Sequence, residues 1–348
     1  MRTAASAKDT SAFVLERMTA GTRLRREHDD IVRTALAAYD AAGRQAGQPG
    51  EDEGRWVHNS HRATWVRDDC VVKVARSAYG ETALRRDLEA RGRIHAQAPW
   101  SAWRQLVPRT LAEHATGDRF AVVEERLPGL PLSDLMDDVS LMARVRGRLA
   151  DLREATAHDV AADDMVSTWF LDPGATVAAL LRRHGHRRAA AAVAQWASDV
   201  AGSLRGSTCR VALVHGDLWP GNVLLGSRGR LGVIDWDQAS FHDAALHDAL
   251  HLTLHPVRME RRVDLGLLIR SLLVSRDDDP VLSAALARTE VGKFLQDTGI
   301  SERDALVWYW LRHVDRMTRE PGHATNPRWI SNNVVAVATT IHQGRRTT

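Results

Sequence analysis

The hydrophobic period of this chain changes at "LPGLPLSDL", residues 127–135, and no other feature restricts its fold as much. Upstream, from Trp56, apolar residues come in short β-rich pieces, "RWVHN", "ATWVR" and "CVVKVA", separated by "SHR" and by Asp68-Asp69. Runs of this length between turn residues read as strands. "GETALRRDLEARGRIHAQ" reads as a helix, and two more strands are expected around Val107 and in "RFAVVEERL". The order strand, strand, strand, helix, strand, strand predicts a small antiparallel sheet carrying one helix. Downstream, the spacing predicts helices over 138–158, 174–184, 187–204, "HDAALHDALHLTL", "VDLGLLIRSLLV", 280–297, 302–318 and 330–342. Only "LVHGDLWPGNVLL" (213–225) and "GRLGVIDWD" interrupt them. The expected class is α+β with two lobes, a β-rich N-lobe over 51–127 and a larger, mainly helical C-lobe over 128–348. A helical stretch at 12–42, with Ile31, Ala35 and Tyr39 on one face, and the linker "GRQAGQPGEDEG" make residues 1–50 an N-terminal extension.

The 348 residues suffice for two domains or one large two-lobed domain. A formal net charge of +3 and the absence of a basic stripe with interleaved aromatics argue against a nucleic-acid partner. No apolar run approaches a membrane span, and "MRTAASAKDTSAF" lacks the apolar stretch of a signal peptide. The two cysteines, Cys70 and Cys209, form neither a disulfide framework nor a zinc spacing. These features lead to the expectation of a cytoplasmic protein, monomeric or homodimeric. Of the 47 basic residues only Lys8, Lys73 and Lys293 are lysines, so each retained ammonium is informative. An arginine bias beside so much alanine is that of a GC-rich genome.

The interruption at 213–225 is a chemical device. Asp217 leaves an apolar run, Asn222 follows five positions later, and Asp235 ends "LGVI". If "NVLL" and "LGVI" pair as a hairpin, Asn222 and Asp235 converge at one end. A carboxylate beside an amide oxygen suits Mg²⁺, which takes hard oxygen donors and fills its octahedron with phosphates. Asp217 is then free to orient a hydroxyl and accept its proton. Phosphoryl transfer needs this set of parts.

With "VHGDLWPGNVLL" followed by "VIDWD", the chain resembles the aminoglycoside phosphotransferase and choline kinase family, of protein-kinase-like fold. "FHDAALHDALHL" is similar to a further family stretch, with Asp243 and Asp248 as matching acids and with His242 and Ala244 departing from the usual Gly and Pro. The resemblance spans roughly residues 55–320 and is strongest over 213–250. It implies Asp217 as catalytic base, Asn222 and Asp235 as Mg²⁺ ligands, and His215 as a structural brace. It implies Lys73 as the strand lysine on the α- and β-phosphates of ATP or GTP, paired with an acid on the next helix, Glu89 or else Asp87 or Glu81. It places a nucleotide loop at "VHNSHRAT", where Ser60 and His61 stand and no glycine does, and an adenine edge on the backbone of Glu124, Glu125 and Arg126. The acceptor is expected to be a hydroxyl of a small molecule: an antibiotic, sugar or natural-product metabolite. A peptide or protein acceptor, and a non-catalytic nucleotide-binding pseudokinase, are the alternatives.

Plainer readings compete for some of these residues. Lys73 could guard an edge strand against aggregation. "HDALH" (247–251), continued by His255, mimics a zinc helix with Asp for Glu, but a zinc hydrolase needs a third ligand and a competent base, and the resemblance already accounts for Asp248 as part of a helix beneath the site. Trp196, Trp308 and Trp310 are expected in the C-lobe core, "RDDDP" (276–280) as a polar loop, and Trp219 and Trp236 either in the core or against substrate.

Overall fold

Strand Cys70–Ala75 (β3) lies at the centre of a five-stranded antiparallel sheet, and both of its faces are covered. The other strands are β1 (Arg55–His58), β2 (Arg62–Val66), β4 (Thr110–Thr116) and β5 (Arg119–Glu125), in the order β1-β2-β3-β5-β4. One face of the sheet takes Ile31, Ala35, Ala38 and Tyr39 from a helix over 29–41 (α1), packed on Ala63, Trp65, Val72, Val74, Ala121 and Val123. The other face packs Ala75, Phe120 and Val122 on Leu84 and Leu88 of α2 (Ala78–Ala96). The alternation of strand side chains thus separates two apolar layers. The structure, a computed structural model, describes residues 27, 29–43, 54–116, 119–275, 280 and 289–344. The 12–26 part of the expected first helix, the linker up to 53, residues 276–279 of "RDDDP" and the 281–288 part of the helix expected over 280–297 lie outside the described residues.

The chain divides into two units: Met1–Gly92 with Pro108–Leu127, and Arg93–Val107 with Pro128–Thr348. In the first, the strand expected around Val107 begins at Thr110 instead. Pro108 has no N–H for a ladder, and Val107 is a buried core residue.

The second unit is mainly helical: α3 (Val139–Glu154), α4 (Asp172–Arg183), α5 (Arg187–Ser203), α6 (Leu246–Arg261), α7 (Leu265–Ser275), α8 (Thr289–Thr298), α9 (Glu302–Arg319) and α10 (Ala336–Gly344). Its core holds Trp169, Trp196, Trp308 and Trp310, as expected for the last three. Two small sheets interrupt the helices. One pairs β6 (Leu130–Pro131), β9 (Val223–Leu225) and β10 (Leu231–Val233); the other pairs β7 (His158–Ala161), β8 (Thr208–Val214) and β11 (Ser240–Asp243). The hairpin expected from "NVLL" and "LGVI" forms, with Val223 opposite Val233 and Leu225 opposite Leu231. The expected class, an antiparallel sheet followed by a larger helical part, is the one found. No helix among the described residues is long and apolar enough to cross a membrane.

Gly266 on α7 marks a close backbone approach: a Cβ there would lie 2.4 Å from the Asn332 carbonyl oxygen and the Asn333 Cα. Gly147 in α3 faces open space. Gly266→Ala is expected to lower stability by about 2 kcal/mol through overpacking. Gly147→Ala is expected to raise it by up to about 1 kcal/mol through helix propensity. Urea denaturation midpoints of both variants check the pair.

Candidate active site

β8 runs into His215-Gly216-Asp217, and a carboxylate on α6 holds that turn. Asp248 is fully buried; its Oδ2 accepts from the His215 amide at 2.8 Å and its Oδ1 from the Gly216 amide at 3.0 Å. Gly216 has φ +79°, and a Cβ there would meet the Gln238 carbonyl oxygen at 2.2 Å, so only glycine fits. His215 Nε2 donates to the Ile234 carbonyl at 2.9 Å, and its Nδ1 then accepts from the Asp217 amide at 3.3 Å. That pattern needs the neutral ring with its proton on Nε2.

Asn222 closes the loop. Its Nδ2 donates to the Asp217 carbonyl at 3.0 Å and lies 3.4 Å from Asp217 Oδ2, while its own carbonyl accepts from the Ile234 amide at 3.0 Å. With the nitrogen so engaged, the side-chain oxygen is the donor left for a cation. The Ile234 bond brings the next residue, Asp235, to the same end of the hairpin. Asp235 has φ +66°, a left-handed conformation rare for a residue other than glycine and concentrated at functional sites. Two hard oxygen donors so placed fit Mg²⁺.

Asp217 is half-buried, its side chain 32% exposed. Oδ1 lies 3.0 Å from Arg316 Nη1 and 3.4 Å from His251 Nε2. The same Arg316 nitrogen bonds the Gly216 carbonyl, and Nη2 lies 3.3 Å from His313 Nδ1. Burial opposes the charge on Asp217, but Arg316 and then His251 outweigh it and hold the carboxyl well below the usual carboxylate range. Burial pulls His251 down to about 4 and His255 to about 3, and lowers His247 and His313 as well. These rings are neutral at pH 7. His247 and His251 stack with centroids 5.9 Å apart, and the His255 ring tilts against His251 at 5.3 Å. Among the described residues no three of His, Cys, Asp and Glu gather to hold a metal.

Trp236 is fully buried, donating to the Val233 carbonyl at 2.8 Å and packed on Trp103 and His215, so it is a core residue. Trp219 is half-buried, with its ring 4.9 Å from His255. Asp243 anchors the core beside the site: it accepts from Trp169 Nε1 at 2.8 Å and pairs with Arg312 on α9.

In the first unit, Lys73 is 3% exposed on the central strand, which excludes the edge-guard reading. Its Nζ lies 2.8 Å from Glu124 Oε1. The expected partner, Glu89, is instead on the exposed side of α2, and Glu81 pairs with Arg85. Asp87, the remaining expected acid, is buried on α2 and pairs with Arg91. Lys73 pairs with Val122 across β3–β5, so Glu124 is its diagonal neighbour on the same face, within reach of long side chains. Arg91 extends the cluster, with Nε 2.9 Å from Asp87 and Nη2 3.5 Å from Glu124. Burial pushes the Glu124 carboxyl up, against the pull of Lys73 and Arg91.

The loop at 57–64 also differs from expectation. Asn59 Oδ1 accepts from the amides of His61 (2.9 Å) and Arg62 (2.6 Å), so those N–H groups are already used. His61 turns back on α2, with Nδ1 3.2 Å from Ser77 Oγ and its ring 4.9 Å from Tyr79, while Ser60 is exposed. On β5, Glu124 lies opposite both Val71 and Thr110, and the Glu125 amide bonds the Arg109 carbonyl. Arg126 is the first residue beyond the strand, and its guanidinium bonds Asp68 and the Arg67 carbonyl.

Sequence reading missed Arg316, Tyr309 and His251 as neighbours of Asp217. The i, i+4 histidines of "HDALH" were the one available signal.

Residues 52–265 match the sequence profile of the phosphotransferase enzyme family. No curated protein sequence matches the chain. Among solved structures, a thermostable mutant of aminoglycoside phosphotransferase APH(4)-Ia, in ternary complex with ADP and hygromycin B, is similar with TM-score 0.50 at 14% identity, over 88% of this chain and 98% of that one. ADP-bound aminoglycoside phosphotransferase APH(2'')-Ib gives 0.48 at 15% identity, over 84% and 96%. At such identities the likeness to the first of these is one of fold.

The histidine stack makes folding pH-dependent with a defined sign. Between about pH 6.5 and 4 the unfolded chain binds protons that the folded, neutral His251 refuses, so stability falls with pH by up to about 1.4 kcal/mol per unit for this ring. Asp217 and Asp248 have depressed carboxyls, so their contribution is lost only below the ordinary carboxylate range and adds no slope above it. Urea midpoints measured from pH 7 to 5 are expected to decline, and His251→Gln to flatten the decline.

Proposed function

The chain belongs to the phosphotransferase enzyme family, and from that premise we propose that it moves the γ-phosphate of ATP, or alternatively GTP, to a hydroxyl of a small molecule. The observation that carries this reading is the setting of Asp217: one carboxylate oxygen is held by Arg316, and the Asn222 amide nitrogen lies within 3.4 Å of the other. An ionised carboxylate held in this way can receive a hydroxyl and turn its oxygen toward phosphorus. Its depressed pKa makes Asp217 a weak base in the ground state. It aligns the acceptor and takes the proton late, as a loose phosphoryl-transfer transition state requires. Catalysis then rests on positioning and charge neutralisation.

Asn222 and Asp235 would hold Mg²⁺ through side-chain oxygens, and the ion when bound would neutralise charge developing on the phosphates. Lys73 is assigned to phosphate contact, and its ion pair with Glu124 holds the side chain in place. Ser60 and the backbone at Arg126 are the remaining candidates for nucleotide contact. The N-lobe role belongs to residues 51–127 and the acceptor to the helical part after 128. The similar structure holding hygromycin B supports an acceptor of small-molecule size, here an antibiotic, sugar or natural-product metabolite. The engaged amides make the Asn59 loop atypical for a phosphate grip, and that motivates the alternative of a non-catalytic pseudokinase.

Thermal shift separates the two readings. ATP is expected to stabilise the parent only with Mg²⁺, and Asp235→Asn to abolish the response. Asp217→Asn is expected to keep nucleotide binding while phosphate transfer drops by about 10²- to 10⁴-fold. Absence of any Mg²⁺-dependent nucleotide response in the parent would refute the reading. Binding without turnover in the parent, for small alcohols and peptides alike, would favour the non-catalytic one.

A further inference from the structure

Two donors converge on a single oxygen of Asp217. Arg316 Nη1 and His251 Nε2 both face Oδ1, at 3.0 and 3.4 Å, whereas among the described residues Oδ2 has only the Asn222 amide nitrogen, 3.4 Å away. His251 itself is 2% exposed, and its Nδ1 lies 2.7 Å from the hydroxyl of fully buried Tyr309. Proton bookkeeping fixes the direction of this chain. An ionised carboxylate only accepts, so a neutral His251 facing it must carry its proton on Nε2. Nδ1 is then a bare acceptor, and Tyr309 O–H is its donor. The reverse tautomer would set a lone pair against the carboxylate and leave the phenol without an acceptor on the ring.

We infer that His251, its tautomer set by Tyr309, is a positioning residue that with Arg316 reserves Oδ1 of Asp217 and leaves Oδ2 as the one oxygen available to the acceptor's proton. The inference rests on the phosphotransferase reading of Asp217 given above. Proton transfer balances without His251 changing charge: the acceptor O–H breaks, a proton joins Oδ2, and the acceptor oxygen bonds the γ-phosphorus as the bond to the nucleoside diphosphate breaks. His251 keeps Nε2–H throughout. The 3.4 Å separation is long for a hydrogen bond, and such contacts tighten when the substrate complex forms.

The experiment has two arms. Nitrogen-15 NMR of the histidine side chains at neutral pH, with His251 assigned by its loss in His251→Gln, reads the tautomer in the full chain. The parent is expected to show a neutral ring protonated on Nε2, and Tyr309→Phe to mix the tautomers. A parent ring protonated on Nδ1 would overturn the inference. The second arm follows Mg·ATP hydrolysis with water as acceptor. His251→Ala is expected to lower kcat about tenfold with KM for ATP unchanged, the scale on which orienting partners act. His251→Gln, whose amide can stand where Nε2–H stood, is expected to recover most of that loss, and Tyr309→Phe to fall between. Equal loss in the Ala and Gln variants, or a change confined to KM, would overturn the positioning role. A parent that neither binds nor hydrolyses ATP would refute the phosphotransferase reading instead, while the NMR arm still decides the tautomer.

Discussion

A single buried carboxylate makes the site. Asp248 has no exposure to water, and an unpaired charge there would be prohibitive. Two backbone amides of the His215-Gly216 turn supply its hydrogen bonds, and in doing so they are pinned to the first turn of α6. Charge-assisted bonds of this kind are about twice as strong as neutral ones. The direction of Asp217 therefore follows from the placement of a helix, and the loop acquires the rigidity of the core beneath it. α9 completes the frame from the far side of the sequence. Tyr309, Arg312, His313 and Arg316 follow one another at helical spacing, and one face delivers a phenol, two guanidinium groups and an imidazole toward α6 and the loop.

What could be read from the sequence was local. Asp217, Asn222 and Asp235 lie within one loop and one hairpin, so their spacing along the chain is their spacing in the fold. The period change at 127–135 separates sheet from helices for the same reason. Contacts between distant segments were not legible. Arg316 reaches Gly216 from 100 residues away, and nothing in "LRHVDRMTR" distinguishes it from the arginines of a solvated helix face. The partner of Lys73 was sought on the next helix because kinase-like chains suggest it. The diagonal of two paired strands supplied Glu124 first, and only the register of β3 on β5 reveals that. Strands β7 and β11 went unread because each has four residues and adjoins a helical pattern.

The loop at 57–64 shows how a chain without glycine makes a tight turn. Asn59 folds its side chain over the turn and takes two amides itself. This is the Asx solution to a reversal. The turn is thereby stabilised from within, and the same amides are no longer available to an anion. A neighbouring constraint acts from α2, where a Cβ on Gly80 would lie 2.0 Å from the His61 carbonyl oxygen. Loop and helix start are thus locked at van der Waals distance.

The Lys73–Glu124 pair has a consequence for control. Both residues belong to adjacent strands of one sheet, so the ammonium is set in place when β3 and β5 zip together. In protein kinases a strand lysine waits for a glutamate on a mobile helix, and moving that helix turns the enzyme off. Here the pair forms with the sheet itself. The geometry of this pair is thus a property of the sheet register, and it lasts as long as β3 and β5 stay paired.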